Sequence, residues 1–397
     1  MIVPSRPELG QLTYCTNIHK GETWPEVFAA LRQNIPAIRS QTVGDSPFGL
    51  GLRLSASAAQ DLSVPAALAE LQGFLAEQNA YVFTINGFPF GEFHGVRVKQ
   101  NVYSPDWADA ARLTYTDQLA EILAALLPEG MDGTISTVPG TFAAWAEGRV
   151  DEIVANLVRH VAYLHDLRHR TGRVIRLALE PEPRCFLETI DEAVSFFTGH
   201  LYGESAIDQL QALTGLDRNA ALAALRQHLG LCYDVCHAAI EYEDPRGSID
   251  LLRRNDVPVY KLQLSSALRI AAVDEHTPAL LRPFDEPTYL HQVVGRRGDE
   301  FDKWDDLGPA LADIDKAIGS EWRVHFHVPL FLAEMENFGT TQAFLKEILA
   351  LHRESPISQH LEVETYTWDV LPEQYRNVAV SDAIARELNW VLSELES

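Results

Sequence analysis

Acidic and histidine side chains stand where apolar runs of this sequence end, a position that suits metal binding and acid–base chemistry. In the segment LALEPEPRC the two prolines cannot donate hydrogen bonds to a sheet, so Glu180 is predicted to be the last paired residue of a strand, with Glu182 in the following loop. In LCYDVCHAAIEYED, Asp234 ends another run and His237 follows three residues later. That spacing lets a carboxylate and an imidazole approach one centre from a strand-to-loop turn.

Other runs alternate in polarity, which places their polar side chains on one face. His325 and His327 share a face opposite apolar neighbours, and Glu362 and Glu364 repeat the pattern. In YKLQLSSAL, Gln263 also lies on a polar face. Strands of a parallel sheet covered on both sides are normally almost wholly apolar, so the polar faces are predicted to line the interior mouth of a barrel.

The carboxylates at these run ends need a counter-charge. Glu180, Asp234 and Glu364 come without an equally regular set of basic residues, and an unpaired buried carboxylate is costly. A divalent cation (Mn, Zn, Mg or Co) is therefore predicted, with His327 and His237 beside it. For each residue alone, a surface glutamate or a hydrogen-bonded structural histidine is the alternative. The recurrence of such residues at four run ends favours the metal site.

The elements that would position these residues are βα units. Short apolar runs alternate with helical patterns along the chain, which predicts an α/β fold with a parallel sheet. Thr23 and Glu26 form a capping box that predicts a helix over residues 23–35. The candidate strands cover residues 12–17, 49–54, 81–86, 133–138, 174–180, 230–234, 258–264, 323–328 and 361–365. These nine exceed by one the eight strands of a TIM barrel.

Nothing in the sequence marks a domain boundary, so we expect one domain over residues 1–397. Residues 188–228, rich in Ala and Leu with a helical period, are predicted to be a helical insertion. Residues 266–320, which are polar and contain prolines, are predicted to be a second insertion and a candidate lid.

The composition of the chain argues against nucleic acid and membranes as binding partners. The chain has 397 residues and a formal net charge of −24, so its surface repels nucleic acid and anionic lipids. It lacks an apolar run approaching the roughly 20 residues of a membrane helix, and its start has no signal-peptide pattern. We therefore expect a cytoplasmic protein that binds neither nucleic acid nor the membrane interior. The four cysteines do not form a disulfide framework and are interpreted as small buried residues.

Five segments carry a resemblance to a known family: TYCTNIHKGETW, YVFTINGFPFGEFHG, VKQNVYSPDW, HFHVPLF and LEVETYTWDVLP. With these segments the chain resembles the xylose isomerase-like TIM barrels, which include sugar isomerases, ketose 3-epimerases and endonuclease IV. It is most similar to the EboE-type metabolite traffic proteins of that superfamily, over most of its length. The resemblance implies a TIM (β/α)8 barrel with helical insertions.

The resemblance also implies a ligand set. In the superfamily a divalent ion is held by a Glu, an Asp, a His and a second Glu, which match Glu180, Asp234, Gln263 and Glu364 here. Gln263 departs from the pattern because epimerases have histidine at that position. Either its oxygen coordinates the metal or His327 supplies the nitrogen, and we expect both to take part.

Three functions are compatible with this resemblance. The first is an isomerase or epimerase of a small polyhydroxylated or carbonyl metabolite, in which Glu180 or Glu364 moves the proton and His237 steadies a substrate oxygen. The expected substrate contacts are His19, Asn86, Glu182, Arg184 and His325. The second is a non-catalytic metabolite carrier with proteins of the same operon as partners. Aromatic residues around the mouth would contact its ligand: Phe88, Phe90, Phe93, Tyr366 and Trp368. The third, an endonuclease IV-like phosphodiesterase, is disfavoured by the acidic charge. The sequence leaves the oligomeric state open.

Overall fold

A computed structural model describes residues 1–373 and 376–397. Within these residues the chain forms fourteen strands and fifteen α-helices. The strands are β1 (Gln11–Tyr14), β2 (Phe48–Arg53), β3 (Ala80–Asn86), β4 (Gly133–Thr137), β5 (Ile175–Leu179), β6 (Leu229–Asp234), β7 (Val259–Leu264), β8 (Leu268–Ile270), β9 (Val293–Arg297), β10 (Glu300–Trp304), β11 (Glu321–Val324), β12 (Glu334–Met335), β13 (Phe338–Thr340) and β14 (His360–Val363).

The helices lie between the strands and after the last one. They are α1 (Trp24–Thr42), α2 (Ala56–Leu62), α3 (Pro65–Glu77), α4 (Ala110–Leu126), α5 (Val150–Thr171), α6 (Ile190–Phe196), α7 (Glu204–Thr214), α8 (Arg218–His228), α9 (Val235–Ile240), α10 (Pro245–Arg254), α11 (Thr277–Leu281), α12 (Leu307–Ala312), α13 (Ile314–Ala317), α14 (Gln342–Glu354) and α15 (Val380–Glu396). Helix α1 begins at the predicted capping box, where Glu26 Oε2 accepts a hydrogen bond from the Thr23 amide at 3.0 Å, and it continues beyond the predicted end.

Eight parallel strands form the barrel, in the order β1-β14-β7-β6-β5-β4-β3-β2. A parallel bridge between Cys15 and Gly51 joins the first and last strands of this order, so the sheet is nearly closed. The predicted TIM-barrel fold is therefore confirmed. Gly51 is required at the closure, because a Cβ atom there would lie 1.8 Å from Glu362 Oε1 in the barrel interior.

The ninth candidate strand lies outside the barrel. Six antiparallel strands form a second sheet in the order β10-β9-β11-β8-β13-β12, all from the chain between β7 and β14. The prediction of a strand over residues 323–328 was wrong in its extent, because β11 ends at Val324 and the chain then leaves the ladder. His325 and His327 follow β11 in a segment without regular secondary structure, which is held by hydrogen bonds to the carbonyl oxygens of Gln292 and Ser266. The alternation of polar and apolar residues that predicted a strand lies in this segment.

The two segments that we expected to be insertions have different structures. Residues 188–228 contain α6, α7 and α8, and α7 and α8 pack against α5 on the outside of the barrel. Residues 266–320 contain three strands of the second sheet and helices α11 to α13. Among the described residues no helix is both long and apolar enough to cross a membrane.

Candidate metal centre at the carboxyl ends of the barrel strands

A pocket of about 500 Å³ opens where the barrel strands end. Barrel elements contribute its polar floor: Asn17 follows β1, Asn86 ends β3, Glu180 follows β5, and Glu364 follows β14. The second sheet and its loops add Tyr289, Leu290 and His325 to the lining. The predicted lid segment therefore forms one wall of the pocket.

Three acidic residues meet at this floor, and we call Glu180, Asp234 and Glu364 the carboxylate set. Each offers a carboxylate oxygen, and these atoms lie within 4.8 Å of one another. All three side chains are buried, at 3–5% exposure. The sequence prediction that these residues meet at strand ends agrees with their placement, because parallel strands bring their carboxyl ends to one edge.

Hydrogen bonds hold part of the carboxylate set and leave the rest open. Glu364 Oε1 accepts from Asn17 Nδ2 at 2.7 Å and from Asn86 Nδ2 at 2.9 Å. Asp234 Oδ1 accepts from Ser265 Oγ at 2.7 Å. For Glu180 Oε2 and Asp234 Oδ2, which we call the orphaned oxygens, the described residues supply no hydrogen-bond partner. Buried carboxylate oxygens in this state fit a bound cation.

The electrostatics of the carboxylate set also favour a cation. Burial raises the pKa of Glu180 well above its ordinary value, and the charges of Glu364 and Asp234 raise it further. Burial and the charge of Asp234 raise the pKa of Glu364 to about 8. Lys261 is the nearby buried base, but its Nζ pairs with Glu362 Oε2 at 2.5 Å deeper in the barrel. A divalent ion would give the carboxylate set the compensating positive charge that Lys261 gives to Glu362.

Gln263 is available as an oxygen donor beside the carboxylate set. Its side chain is fully buried and lies close enough to Glu364 to lower the pKa of that carboxyl group, while its Oε1 has no hydrogen-bond donor among the described residues. In the barrel ladder it pairs with Asp234 on one side and Glu362 on the other. A buried amide oxygen without a donor is costly, so it fits a bound ligand or ion.

Two histidines near the carboxylate set have a tautomer fixed by backbone carbonyl groups. His237 Nδ1 lies 2.9 Å from the carbonyl oxygen of Pro181, and His327 Nδ1 lies 2.9 Å from that of Glu364. A carbonyl oxygen can only accept, so each Nδ1 carries the proton and donates. In the neutral ring, Nε2 then presents a lone pair.

His325 is fixed in the same sense by a side-chain network. Gln292 Nε2 donates to Glu182 Oε1 at 3.1 Å and to the carbonyl oxygen of Pro183 at 3.1 Å. This orients the Gln292 amide so that its Oε1 faces His325 Nδ1 at 2.7 Å. His325 Nδ1 must therefore donate, and its Nε2 also presents a lone pair. Tyr103 donates its hydroxyl to Glu182 Oε1 at 2.7 Å and steadies the network.

The three imidazoles converge, and we call His237, His325 and His327 the histidine set. The Nε2 atom of His325 lies 3.1 Å from that of His237 and 3.2 Å from that of His327. Asp234 groups with His237 and His327 within 4.8 Å, and the Cys236 sulfur groups with His325 and His327. Burial lowers the pKa of His327 to about 4 and that of His325 well below its ordinary value. Asp234 is thus shared by the carboxylate and histidine sets.

The structure places most of the predicted site residues at this pocket. Its lining includes Asn86, Glu182, His237 and His325 in addition to Glu180 and Glu364. The described lining does not include three of the predicted metal ligands, Asp234, Gln263 and His327. It also does not include His19 or Arg184. His19 Nε2 bonds the Tyr14 hydroxyl at 2.9 Å, and Arg184 pairs with Asp305 at 2.5 Å. Strand β5 ends within one residue of the prediction, whereas β1 ends at Tyr14, three residues early, and the two side chains contact their own neighbours.

Sequence reasoning missed several residues of the site, among them Asn17, Gln292 and Lys99. Asn17 was detectable, because it ends the first candidate strand as Glu180 ends the fifth. Gln292 was not, because its position depends on how the second sheet folds over the barrel. Lys99 lines the pocket and pairs with Asp306 at 2.6 Å.

Aromatic rings form the wall opposite the carboxylate set. Phe88, Phe93, Tyr289 and Tyr366 line the pocket. Phe93 packs against the Tyr289 and Tyr366 rings at centroid distances of 5.0 and 5.4 Å. Two other aromatic residues considered from the sequence, Phe90 and Trp368, lie outside this lining. The pocket therefore combines an acidic floor with an aromatic wall.

No protein-family model and no curated protein matches the sequence. Among solved structures, the chain is similar to the probable 3-DHS dehydratase AsbF of Bacillus anthracis, involved in petrobactin synthesis, at 13% identity and a TM-score of 0.46, covering 96% of this chain and 97% of that one. It is similar to the IOLI protein with a bound zinc atom, at 13% identity and a TM-score of 0.45, covering 97% and 98%. A third is a xylose isomerase domain-containing protein of Salmonella typhimurium, at 12% identity and a TM-score of 0.43, covering 98% of each chain. At such identities the function has to be argued from the site itself.

Proposed function

We propose that this barrel is a metal-dependent isomerase or epimerase of a small polyhydroxylated or carbonyl metabolite. The observation that carries the proposal is the free Oε2 atom of Glu180, buried in the pocket floor beside Asp234 and Glu364. A carboxylate held open in this way can take a proton from a bound molecule or return one to it.

The ligands proposed for the ion are Glu180, Asp234 and Glu364, with Gln263 and His327 as the neutral donors. Oxygen and imidazole donors suit Mn, Zn, Mg or Co, and Asp234 Oδ2 is an oxygen that such an ion would satisfy. When bound, the ion would polarise a substrate carbonyl and its neighbouring hydroxyl.

The hydrogen bonds suggest different roles for Glu180 and Glu364. One oxygen of Glu364 accepts hydrogen bonds from Asn17 and Asn86, so this carboxylate is held in place and suits the role of a metal ligand. Glu180 keeps a free oxygen toward the pocket, so we assign it the transfer of the proton. His237, His325 and Glu182 line the pocket and would hold substrate oxygens, as expected from the sequence.

A carrier of the EboE type is the second candidate, and the aromatic wall favours it. Phe88, Phe93, Tyr289 and Tyr366 suit a ligand with an apolar face better than a simple sugar. Such a protein would serve a secondary-metabolite pathway with proteins of the same operon as partners. It would bind its ligand without exchanging protons. The endonuclease IV-like alternative remains disfavoured by the net charge of −24.

Proton exchange separates catalyst from carrier. The metal-loaded protein is incubated in heavy water with a panel of ketoses, aldoses and inositol-type ketones, and deuterium in the carbon skeleton is measured by NMR. We expect exchange with wild type, loss of at least a hundredfold in Glu180→Gln, and retention in Glu387→Gln. Glu387 is a matched control because it is buried, at 2% exposure, outside the pocket lining. Ligand binding with no exchange in wild type would favour the carrier.

A further inference from the structure

We propose that a cleft at the amino ends of the barrel strands binds a small organic oxyanion, a phosphate or carboxylate group carried on an apolar body. The site lies at the opposite end of the barrel from the metal centre, and it is independent of the proposed function. Its evidence is the placement of three arginine side chains around one cleft of a strongly acidic protein.

The cleft lies where four barrel strands begin. Thr134 and Arg176 are the second residues of β4 and β5, and both line it. Strand β7 begins at Val259 and β14 at His360, and these residues line it too. With the segments that precede β7 and β14 they enclose about 1310 Å³. Because the barrel strands are parallel, this cleft and the metal centre occupy opposite ends of the barrel.

The charge of the cleft is opposite in sign to that of the protein. Three arginines and two aspartates line it, which leaves a local charge of +1, whereas the whole chain carries −24. Burial, together with the charges of Lys261 and Arg176, lowers the pKa of His360 to about 3. A small anion therefore meets a favourable local field here. The charged lining residues are Arg176, Arg226, Arg253, Asp132 and Asp256.

Arg176 is the arginine that the structure holds most firmly in place. Its guanidinium group lies over the Tyr260 ring, with Cζ 4.5 Å from the ring centre. The Tyr260 hydroxyl donates to the carbonyl oxygen of Arg226, which fixes the ring. The Arg176 side chain is 25% exposed, and its Nη2 pairs with Asp132. A planar guanidinium group carries five N–H donors, so an oxyanion can bind to the same side chain.

The present partners of the arginines are weak competitors for an anion. Asp132 and Asp256 are 43% and 74% exposed, and the Arg226–Asp256 pair is 3.4 Å long. Ion pairs between exposed groups contribute little to stability. Arg253 Nη2 donates to the carbonyl oxygen of Ser355 at 2.9 Å, which is a neutral acceptor. A phosphate or carboxylate held by guanidinium groups forms stronger, charge-assisted hydrogen bonds.

Apolar side chains form much of the remaining surface of the cleft. Ile249 and Leu252 of helix α10, Val257 before β7 and Ile357 before β14 line it. They suit the carbon skeleton of an organic ligand, which a free inorganic ion does not offer.

Calorimetric titration of the full chain with phenyl phosphate, benzoate and inorganic phosphate tests the proposal. We expect one organic anion to bind per chain, more tightly than inorganic phosphate, because only the organic anions offer an apolar body. Tighter binding of phenyl phosphate assigns the cleft to phosphate esters, and tighter binding of benzoate assigns it to carboxylates. Arg176→Gln and Arg253→Gln should each weaken the binding of the tighter anion by about tenfold or more.

Arg168→Gln is the matched control, because it removes the same charge from an exposed arginine outside the cleft, where Nη1 donates to Gln227 at 2.6 Å. Arg253 is also exposed, so its variant should fold normally, and circular dichroism checks this. An affinity that is unchanged in both cleft variants, or that falls equally in Arg168→Gln, would overturn the proposal. Absence of binding to wild type for all three anions at about 10 mM would also overturn it. Proton exchange at the metal centre is measured separately, so either proposal can fail alone.

Discussion

Lys261 and Glu362 form an ion pair inside the barrel, with Nζ 2.5 Å from Oε2 and both side chains fully buried. Lys261 Nζ also donates to Ser136 Oγ at 3.1 Å, across the barrel interior. Glu362 lies one residue before the end of β14 and Lys261 three residues before the end of β7, so the pair lies deeper in the barrel than the carboxylate set. Lys261 offsets the charge of Glu362, and the buried carboxylate set nearby favours a bound cation.

Removal of one partner of this pair should destabilise the protein strongly. Lys261→Met leaves the charge of Glu362 buried and unpaired, which typically costs about 3–5 kcal/mol. Urea denaturation followed by circular dichroism measures the free energy of unfolding. The double variant Lys261→Met, Glu362→Met should recover most of the loss, because no buried charge remains. A double variant as unstable as the single one would contradict this explanation.

Two glycine substitutions should have opposite effects on stability. In Gly51→Ala the new Cβ would lie 1.8 Å from Glu362 Oε1, so the barrel must shift, at a cost of about 1–3 kcal/mol. In Gly73→Ala no atom lies within 4 Å of the new Cβ, and the site is inside helix α3, so about 0.5–1 kcal/mol of stabilisation is expected. Thermal and urea unfolding measure the change in the free energy of unfolding for each variant. Equal changes in the two variants would contradict the steric argument.

Glu387 should make stability depend on pH. Its Oε1 accepts from the Leu330 amide at 3.0 Å and the Thr365 hydroxyl at 2.8 Å, and burial raises its pKa to about 7 from an ordinary 4.5. The folded state therefore holds this proton more tightly than the unfolded state. The contribution is complete below about pH 4.5 and is lost as the pH rises through 7.

Glu387→Gln keeps the acceptor oxygen without the charge. Relative to wild type it should gain stability between pH 5 and pH 8, by up to roughly 3 kcal/mol. Unfolding free energies measured at several pH values test this. A difference between the two proteins that does not change with pH would show that Glu387 is not the titrating group.

The asparagines that hold Glu364 should control metal affinity. Asn86→Ala removes the hydrogen bond of 2.9 Å to Glu364 Oε1, and the loss of such a support typically weakens metal binding by about 10–100-fold. Calorimetric titration with Mn²⁺ measures the affinity. Asn34→Ala is the matched control, because Asn34 is also buried but donates to a carbonyl oxygen within helix α1. Equal Mn²⁺ affinities in wild type, Asn86→Ala and Asn34→Ala would show that Asn86 does not support metal binding.

Much of the barrel was predictable from local signals. Eight of the candidate strands coincide with barrel strands to within a few residues, because apolar runs and turn residues are set by neighbours in the chain. The placement of Glu180 after β5 and of Glu364 after β14 follows from the same signals. A parallel barrel then brings those ends together wherever the sequence places them.

What the sequence determined by itself is the barrel and the acidic side chains at the ends of its strands. Only the tertiary structure decided that β11 joins an antiparallel sheet, that His325 after it lines the pocket, and that His19 and Arg184 do not. Pairing between strands distant in sequence is not encoded in a local period, because the same alternation of polarity suits a strand or an extended loop. The direction of the imidazole lone pairs is likewise decided by Gln292 and two backbone carbonyl groups, contacts that exist only after folding.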